Sequence, residues 1–194
     1  LDGSETFLQP IRKAGIKVYL GLLGNHDQAG LCQLSDWGAQ QYAKDVAQAC
    51  KKFKLDGVLL DDEWSTNPDL SNPWFTKWSE VAGARLCYEL KKEMRKACAW
   101  PTEVSYYELG GLDNLPSVKD LDTKEEHTPA EFVDFYVANY YDTDNPEAFP
   151  GSSAPYADFT YANCSFNSYE CNVWRGKAVT EDSARQAKAN GYGW

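Results

Sequence analysis

The chain switches repeatedly between two rhythms of apolar residues: short continuous runs and longer helical stripes. Ile16 to Leu23 is nearly all apolar, with Val18, Tyr19 and Leu20 inside it, and predicts a strand buried on both faces. It ends in Gly24-Asn25-His26, a turn. From Ser35 onward, Trp37, Tyr42, Ala43, Val46, Ala47 and Cys50 recur at helical spacing, which predicts a helix to about Phe53. Gly57 to Leu60 is the next apolar run. A loop rich in Asn and Pro follows over 65–73, then an amphipathic helix from about Trp74 to Ala97. Glu103 to Tyr107 reads as a strand closed by Gly110-Gly111. Phe132 to Tyr141 reads as another, ending in Asp142, and Tyr156 to Ala162 as a further one. Residues 5–15 read as the end of a helix closed by Gly15. Thr180 to Ala189 reads as a helix capped at Thr180 and closed at Gly191, with Gly193-Trp194 opening one more strand.

Strands that alternate with helices predict a parallel α/β fold. No GxGxxG or Walker loop is present, which disfavours a dinucleotide-binding sheet. Segments 112–131 and 142–155 read as long irregular loops, the kind that carry function or move. No internal repeat or linker divides the chain, so residues 1–194 are expected to form a single domain.

The candidate chemistry sits at Asp56-Gly57-Val58-Leu59-Leu60-Asp61-Asp62-Glu63. Residues i and i+2 of a strand share a face, roughly 6–7 Å apart. Asp61 and Glu63 therefore converge at the C-terminal end of an apolar strand, where a parallel barrel places its catalysis. Asp62 points the other way, and an acid at a strand end is by default solvated. His26 reads as a turn residue. Trp37, Trp74 and Trp78, at helical spacing, read as outer packing. Tyr106 and Tyr107 alternate, so only one of them faces a barrel interior.

Composition narrows the partners. The net charge of −10 argues against nucleic acid and anionic membrane, which need clustered Lys and Arg. No apolar run is long enough to span a bilayer, and Leu1-Asp2-Gly3-Ser4 is not the start of a signal peptide. Seven Trp and 12 Tyr suit a surface for sugars or aromatic ligands as well as a core. With two His and no CxxC pair, no zinc site is expected. The Asp142–Asp144 cluster lacks the spacing and Glu of a calcium loop, so no metal or cofactor is assigned. Cys32, Cys50, Cys87, Cys98, Cys164 and Cys171 make an even count, which points to disulfides and an oxidising compartment. Cys164 and Cys171 are near enough in sequence to close a small loop, while the remaining connectivity is open. Asn163-Cys164-Ser165 is a glycosylation sequon, in keeping with secretion. A secreted monomer is the expectation.

Residues 56–63 resemble the DxxDxDxE signature of glycoside hydrolase family 18, with Asp56, Leu59, Asp61 and Glu63 in the marked positions. The Asp-Asp-Glu ending resembles one branch of it, the bacterial-type endo-β-N-acetylglucosaminidases. So does Gly15 to Gly30, with its Leu-Gly-Asn-His and Ala-Gly stretches. Asn139-Tyr140-Tyr141 looks like the end of that family's sixth strand, which supplies an active-site Tyr. The resemblance implies a (β/α)8 TIM barrel, present here from about the third strand to the start of the eighth. Such a barrel typically takes about 250 residues. The chain is therefore expected to be a fragment of a longer polypeptide.

The resemblance also implies substrate-assisted hydrolysis of an N-acetylglucosamine linkage, most of all in the chitobiose core of N-linked glycans. Glu63 would be the general acid and would have to hold its proton near neutral pH. Asp61 would orient the substrate's 2-acetamido group, and Tyr141, or Tyr140 in a shifted register, would hydrogen-bond it. Gly24, Asn25, Tyr107, Glu108, Asn139 and Trp64 are expected sugar contacts. The partner would be a glycan or glycoprotein carrying N-acetylglucosamine. Leu59 stands where the signature has Asp, which removes a charge-sharing neighbour of Asp61. That change keeps two alternatives in view beside a chitinase: a silent sugar-binding protein on the same fold, and a structural or storage protein.

Overall fold

The computed structural model describes residues 4–25, 29–63, 68–107, 112, 115–137, 155–156 and 189. The elements in chain order are α1 (Ser4–Lys13), β1 (Tyr19–Asn25), a 3-10 turn (Leu31–Gln33), α2 (Asp36–Phe53), β2 (Gly57–Glu63) and α3 (Glu80–Ala97). They continue with β3 (Glu103–Tyr107), β4 (Val118–Lys119), β5 (Glu126–His127), α4 (Pro129–Phe132), β6 (Phe135–Val137) and β7 (Pro155–Tyr156). Five strands form one sheet in the order β1-β2-β3-β6-β7, and every neighbouring pair is parallel. This is the α/β architecture that the alternation of elements predicts.

The register sorts the strand residues into two faces. Leu22, Leu60, Tyr106 and Tyr136 stand in one row across β1, β2, β3 and β6. Each is buried, as are Val58 and Val104 one step earlier. They pack with Val46, Ala47, Leu86, Leu90 and Met94 of α2 and α3 in a single core. Tyr106 and Tyr136 stack at 5.7 Å between centroids, which fills the row with two large rings. The opposite face carries Gly21, Leu23, Leu59, Asp61, Glu63 and Tyr107, all of which keep some solvent exposure. Leu23 is 64% exposed. The expectation of burial on both faces therefore holds for one face alone among the described residues, because both long helices lie on the same side.

Local chemistry sets the helix ends. Ser35 Oγ accepts the Gly38 N–H at 3.0 Å and starts α2, while Lys54, with φ of 52°, ends it. α3 starts at Glu80, six residues later than its apolar stripe predicts. Ser79 caps it by accepting the Ala82 N–H at 3.1 Å. Trp74 is held outside the helix because its carbonyl accepts the Ser35 N–H at 2.9 Å, which docks this stretch onto the start of α2.

Segment 112–131 contains more structure than its irregular sequence predicts. β4 and β5 pair antiparallel. Asp120 Oδ1 accepts the N–H groups of Asp122 and Thr123 to shape the turn between them. Phe132, expected to open a strand, ends α4 instead. A Thr128–Glu131 capping box with Pro129 in the first turn starts a short helix there. The predicted strand at 156–162 shares only Tyr156 with β7. The remaining positions of that strand, residues 138–141 and nearly all of 180–194 lie outside the described residues.

Candidate active site

β2 carries its acids past the end of its apolar run because it stays paired to β1 throughout: Leu23 faces Asp61, Gly24 faces Asp62 and Asn25 faces Glu63. Asp61 and Glu63 share the open face, and both are half-buried. Tyr107 lies on that face as well, one step beyond the paired Leu60 and Tyr106. Asn25 is brought beside Glu63 in register. Gly24 falls on the helix-covered side with Asp62. Trp64, Glu108, Asn139, Tyr140 and Tyr141 lie outside the described residues.

Two carboxylates on the open face sit in opposite environments. At the N-terminal end, Glu103 takes hydrogen bonds from Lys17 (2.5 Å) and from the Tyr19 hydroxyl. Burial pushes the Glu103 carboxyl up, but these donors outweigh it and hold it below the usual range. At the C-terminal end, Asp61 Oδ1 is shielded from solvent and has no hydrogen-bond partner among the described residues. Burial pushes the Asp61 carboxyl up, and the neighbouring charges of Glu63 and then Asp62 push the same way. Glu103 is thus a satisfied structural acid. Asp61 is an acceptor without a donor, the state of a group kept for a ligand. Leu59, one pair of residues upstream on the same face, gives Asp61 an apolar neighbour instead of a charged one.

A cleft of about 550 Å³ opens beside this end of the sheet, between the loop after β1 and the one after β2. Leu23, the register partner of Asp61, lines it together with Gly30, Leu31, Asp69, Trp74 and Phe75. Trp74, read in the sequence as outer packing, does pack edge-on against Trp37, with ring centroids 5.0 Å apart, and also lines this cleft.

The residue that sequence reasoning misjudged is Asp62. It is 3% exposed rather than solvated. Its Oδ1 accepts the Leu31 N–H at 2.7 Å and its Oδ2 the Cys32 N–H at 3.1 Å. The signal available beforehand was its parity with Leu60 on an alternating strand. The expectation of disulfides also fails where it is testable: Cys32, Cys50, Cys87 and Cys98 are free and buried among the described residues. Cys164 and Cys171 lie outside those residues.

The sequence has relatives along its whole length. Endo-beta-N-acetylglucosaminidase F1 of Elizabethkingia meningoseptica is 29% identical over 196 residues, which takes in 100% of this chain and 52% of that protein. An endo-beta-N-acetylglucosaminidase of a Flavobacterium strain is 42% identical over 66 residues, 34% of this chain and 21% of the relative. The chain resembles the bacterial-type endo-β-N-acetylglucosaminidases. The crystal structure of Bacteroides thetaiotamicron EndoBT-3987 in complex with Man9GlcNAc2Asn substrate agrees, at 37% identity and a TM-score of 0.68. That match covers 100% of this chain and 44% of the other. The same enzyme with Man5GlcNAc product matches at 38% identity and the same TM-score, over 40% of its chain. The chain thus spans about half the length of the first curated relative and less than half of these structures. No protein-family model matches it.

Proposed function

We propose that the chain carries the catalytic strands of an endo-β-N-acetylglucosaminidase that cleaves the chitobiose core of N-linked glycans, and that its parallel sheet is part of a (β/α)8 barrel. The observation that carries this reading is the pair Asp61 and Glu63, delivered to one open face at the C-terminal end of a parallel strand, with Asp61 Oδ1 unpartnered among the described residues. Support comes from relatives named for that activity and from EndoBT-3987, whose structures hold Man9GlcNAc2Asn and Man5GlcNAc.

In this mechanism Glu63 gives its proton to the glycosidic oxygen as the C1–O bond breaks. The substrate's own 2-acetamido oxygen forms the new bond to C1, giving an oxazolinium ion. Asp61 accepts the acetamido N–H and stabilises the positive charge that develops there. Glu63, now ionised, takes a proton from the water that opens the ring, so configuration is retained. Tyr141, or Tyr140, hydrogen-bonds the acetamido group. Asn25, Tyr107, Glu108, Asn139 and Trp64 contact the sugars at the strand ends, and Gly24 does so through the cleft it lines.

The test is glycan release from a denatured high-mannose glycoprotein, read by mass. Cleavage that leaves one N-acetylglucosamine on the protein, lowered about 10²-fold or more in Glu63→Gln, is the expected result. Leu59 favours a second reading, a sugar-binding protein without turnover. Glycan binding with no cleavage in the same sample would establish that one instead.

A further inference from the structure

Resting on the hydrolase reading above, we propose that Asp62 is a positioning residue that straps the loop after β1 onto the catalytic strand and so shapes the glycan cleft. The strap begins at the tip of β2. There Asp61 and Glu63 use the open face while Asp62, between them, turns its carboxylate to the covered side. Its two oxygens each take one backbone N–H, from Leu31 at 2.7 Å and Cys32 at 3.1 Å. The strap then continues across the site. Gln33, 1% exposed, folds its Oε1 back to accept the Gly30 N–H at 2.7 Å. The carbonyls of Gln33 and Cys32 accept the N–H groups of Thr76 (2.8 Å) and Ser79 (3.1 Å). One carboxylate therefore ties together the catalytic strand, the loop after β1 and the loop after β2. The cleft lies between those two loops.

Gly24 is what permits this approach. A Cβ at position 24 would stand closer than 3.0 Å to Asp62 Oδ1 and 2.9 Å from the Leu31 nitrogen. The chemistry also requires an acid. Two N–H donors converge on the side chain, and an amide would turn its own NH₂ toward one of them. Burying a charge this deeply adds little net stability even when it is hydrogen-bonded. What the contact does add is the position of residues 30–33, and with it one wall of the cleft.

The experiment compares Asp62→Asn, Asp62→Ala and Gly24→Ala. Kinetics are read on a high-mannose glycopeptide, glycan affinity in the Glu63→Gln background, and hydrogen exchange at the Leu31 and Cys32 amides. Asp62 touches no reacting atom, so its loss should fall on KM. Asp62→Asn, which keeps one acceptor, is expected to raise KM and the glycan Kd by about 3- to 10-fold with kcat within about twofold. Asp62→Ala should raise them further, with faster exchange at both amides. Gly24→Ala keeps the carboxylate but forces it away, and should show the same KM-weighted loss even if Asp62→Ala does not fold.

A residue that only stabilised the fold would lower the active fraction, and so apparent kcat, with KM and Kd unchanged. That result overturns the proposal, as does unchanged exchange at Leu31 and Cys32. If the unmutated protein binds glycan without cleaving it, the hydrolase reading fails and the Kd series still decides the role of Asp62. If it neither cleaves nor binds, both fail together.

Discussion

Gly57 opens the strand that carries Asp61 and Glu63, and the structure makes a sharp prediction for Gly57→Ala. A Cβ built there would come closer than 3.0 Å to the carbonyl oxygen of Glu103, its register partner on β3. It would also lie 2.9 Å from the Glu103 carbonyl carbon and 3.0 Å from its nitrogen. All three are backbone atoms of a paired strand, so no side chain can swing aside. Relief means opening the β2–β3 pair by about 1 Å where strands normally sit roughly 4.8 Å apart. Overpacking of this kind costs about 1–3 kcal/mol. The Glu103 N–H to Asp56 carbonyl bond, 2.9 Å long, lies at the same point and would weaken as well. A lost hydrogen bond adds about 1 kcal/mol. The reduced freedom of the unfolded chain returns about 0.4–1 kcal/mol. The net loss is about 2 kcal/mol, a large share of the 5–15 kcal/mol that holds a typical domain. With an m-value of about 2 kcal/mol/M, the urea midpoint should fall by about 1 M at constant m. Gly21→Ala is the control, because nothing among the described residues lies within 4 Å of a Cβ there. It should be neutral or stabilising by up to about 1 kcal/mol. A Gly57→Ala midpoint within about 0.2 M of the parent, or equal losses at both glycines, would refute the reasoning.

Three further predictions follow from the same contacts. Burial, then the charges of Glu63 and Asp62, raises the Asp61 carboxyl above its ordinary value of 3.8, so the folded state binds the extra proton. Its contribution to folding is therefore complete below that ordinary value and lost as pH rises through the raised one. Asp61→Asn should flatten this part of the stability curve, and parallel urea-midpoint curves from about pH 3.5 to 6 for both proteins would rule the effect out. Burial pushes the Cys50 thiol up to about 11 and Cys87 up to about 12, and raises Cys32 and Cys98 as well. A thiol reagent at about pH 8 should label none of these four in the native protein and all four after unfolding, read by peptide mass; native labelling of any one contradicts the packing. Lys91, on α3, bonds both oxygens of Asp134 (2.8 and 2.6 Å) and the Thr102 carbonyl (2.9 Å). Lys91→Met should cost about 2 kcal/mol, discounted because Asp134 keeps partial contact with water, and a double-mutant cycle with Asp134→Asn should show coupling above about 0.5 kcal/mol.

The sequence by itself determined a good deal. The alternation of apolar runs with helical stripes is a local property, and it specified a parallel α/β arrangement with α2, β2 and β3 close to their observed bounds. The parity of Asp61 and Glu63 was legible for the same reason: a strand has period two wherever it sits. Tertiary contacts decided the rest. The apolar stripe of α3 extends back to Trp74, yet the helix begins at Glu80, because the Trp74 carbonyl is already committed to Ser35. The strands are covered on one face, because that depends on where both long helices pack. The cysteine count pointed to disulfides, but pairing is a matter of approach in space, and four of the six stand free. Asp62 is the sharpest case. An acid at a strand end is solvated unless the chain returns to it, and here Leu31 and Cys32, 30 positions away, bring two N–H groups to bury it. Strand parity is fixed by bonds between neighbours in sequence, whereas burial of a charge is fixed by whichever distant backbone arrives with donors to spare.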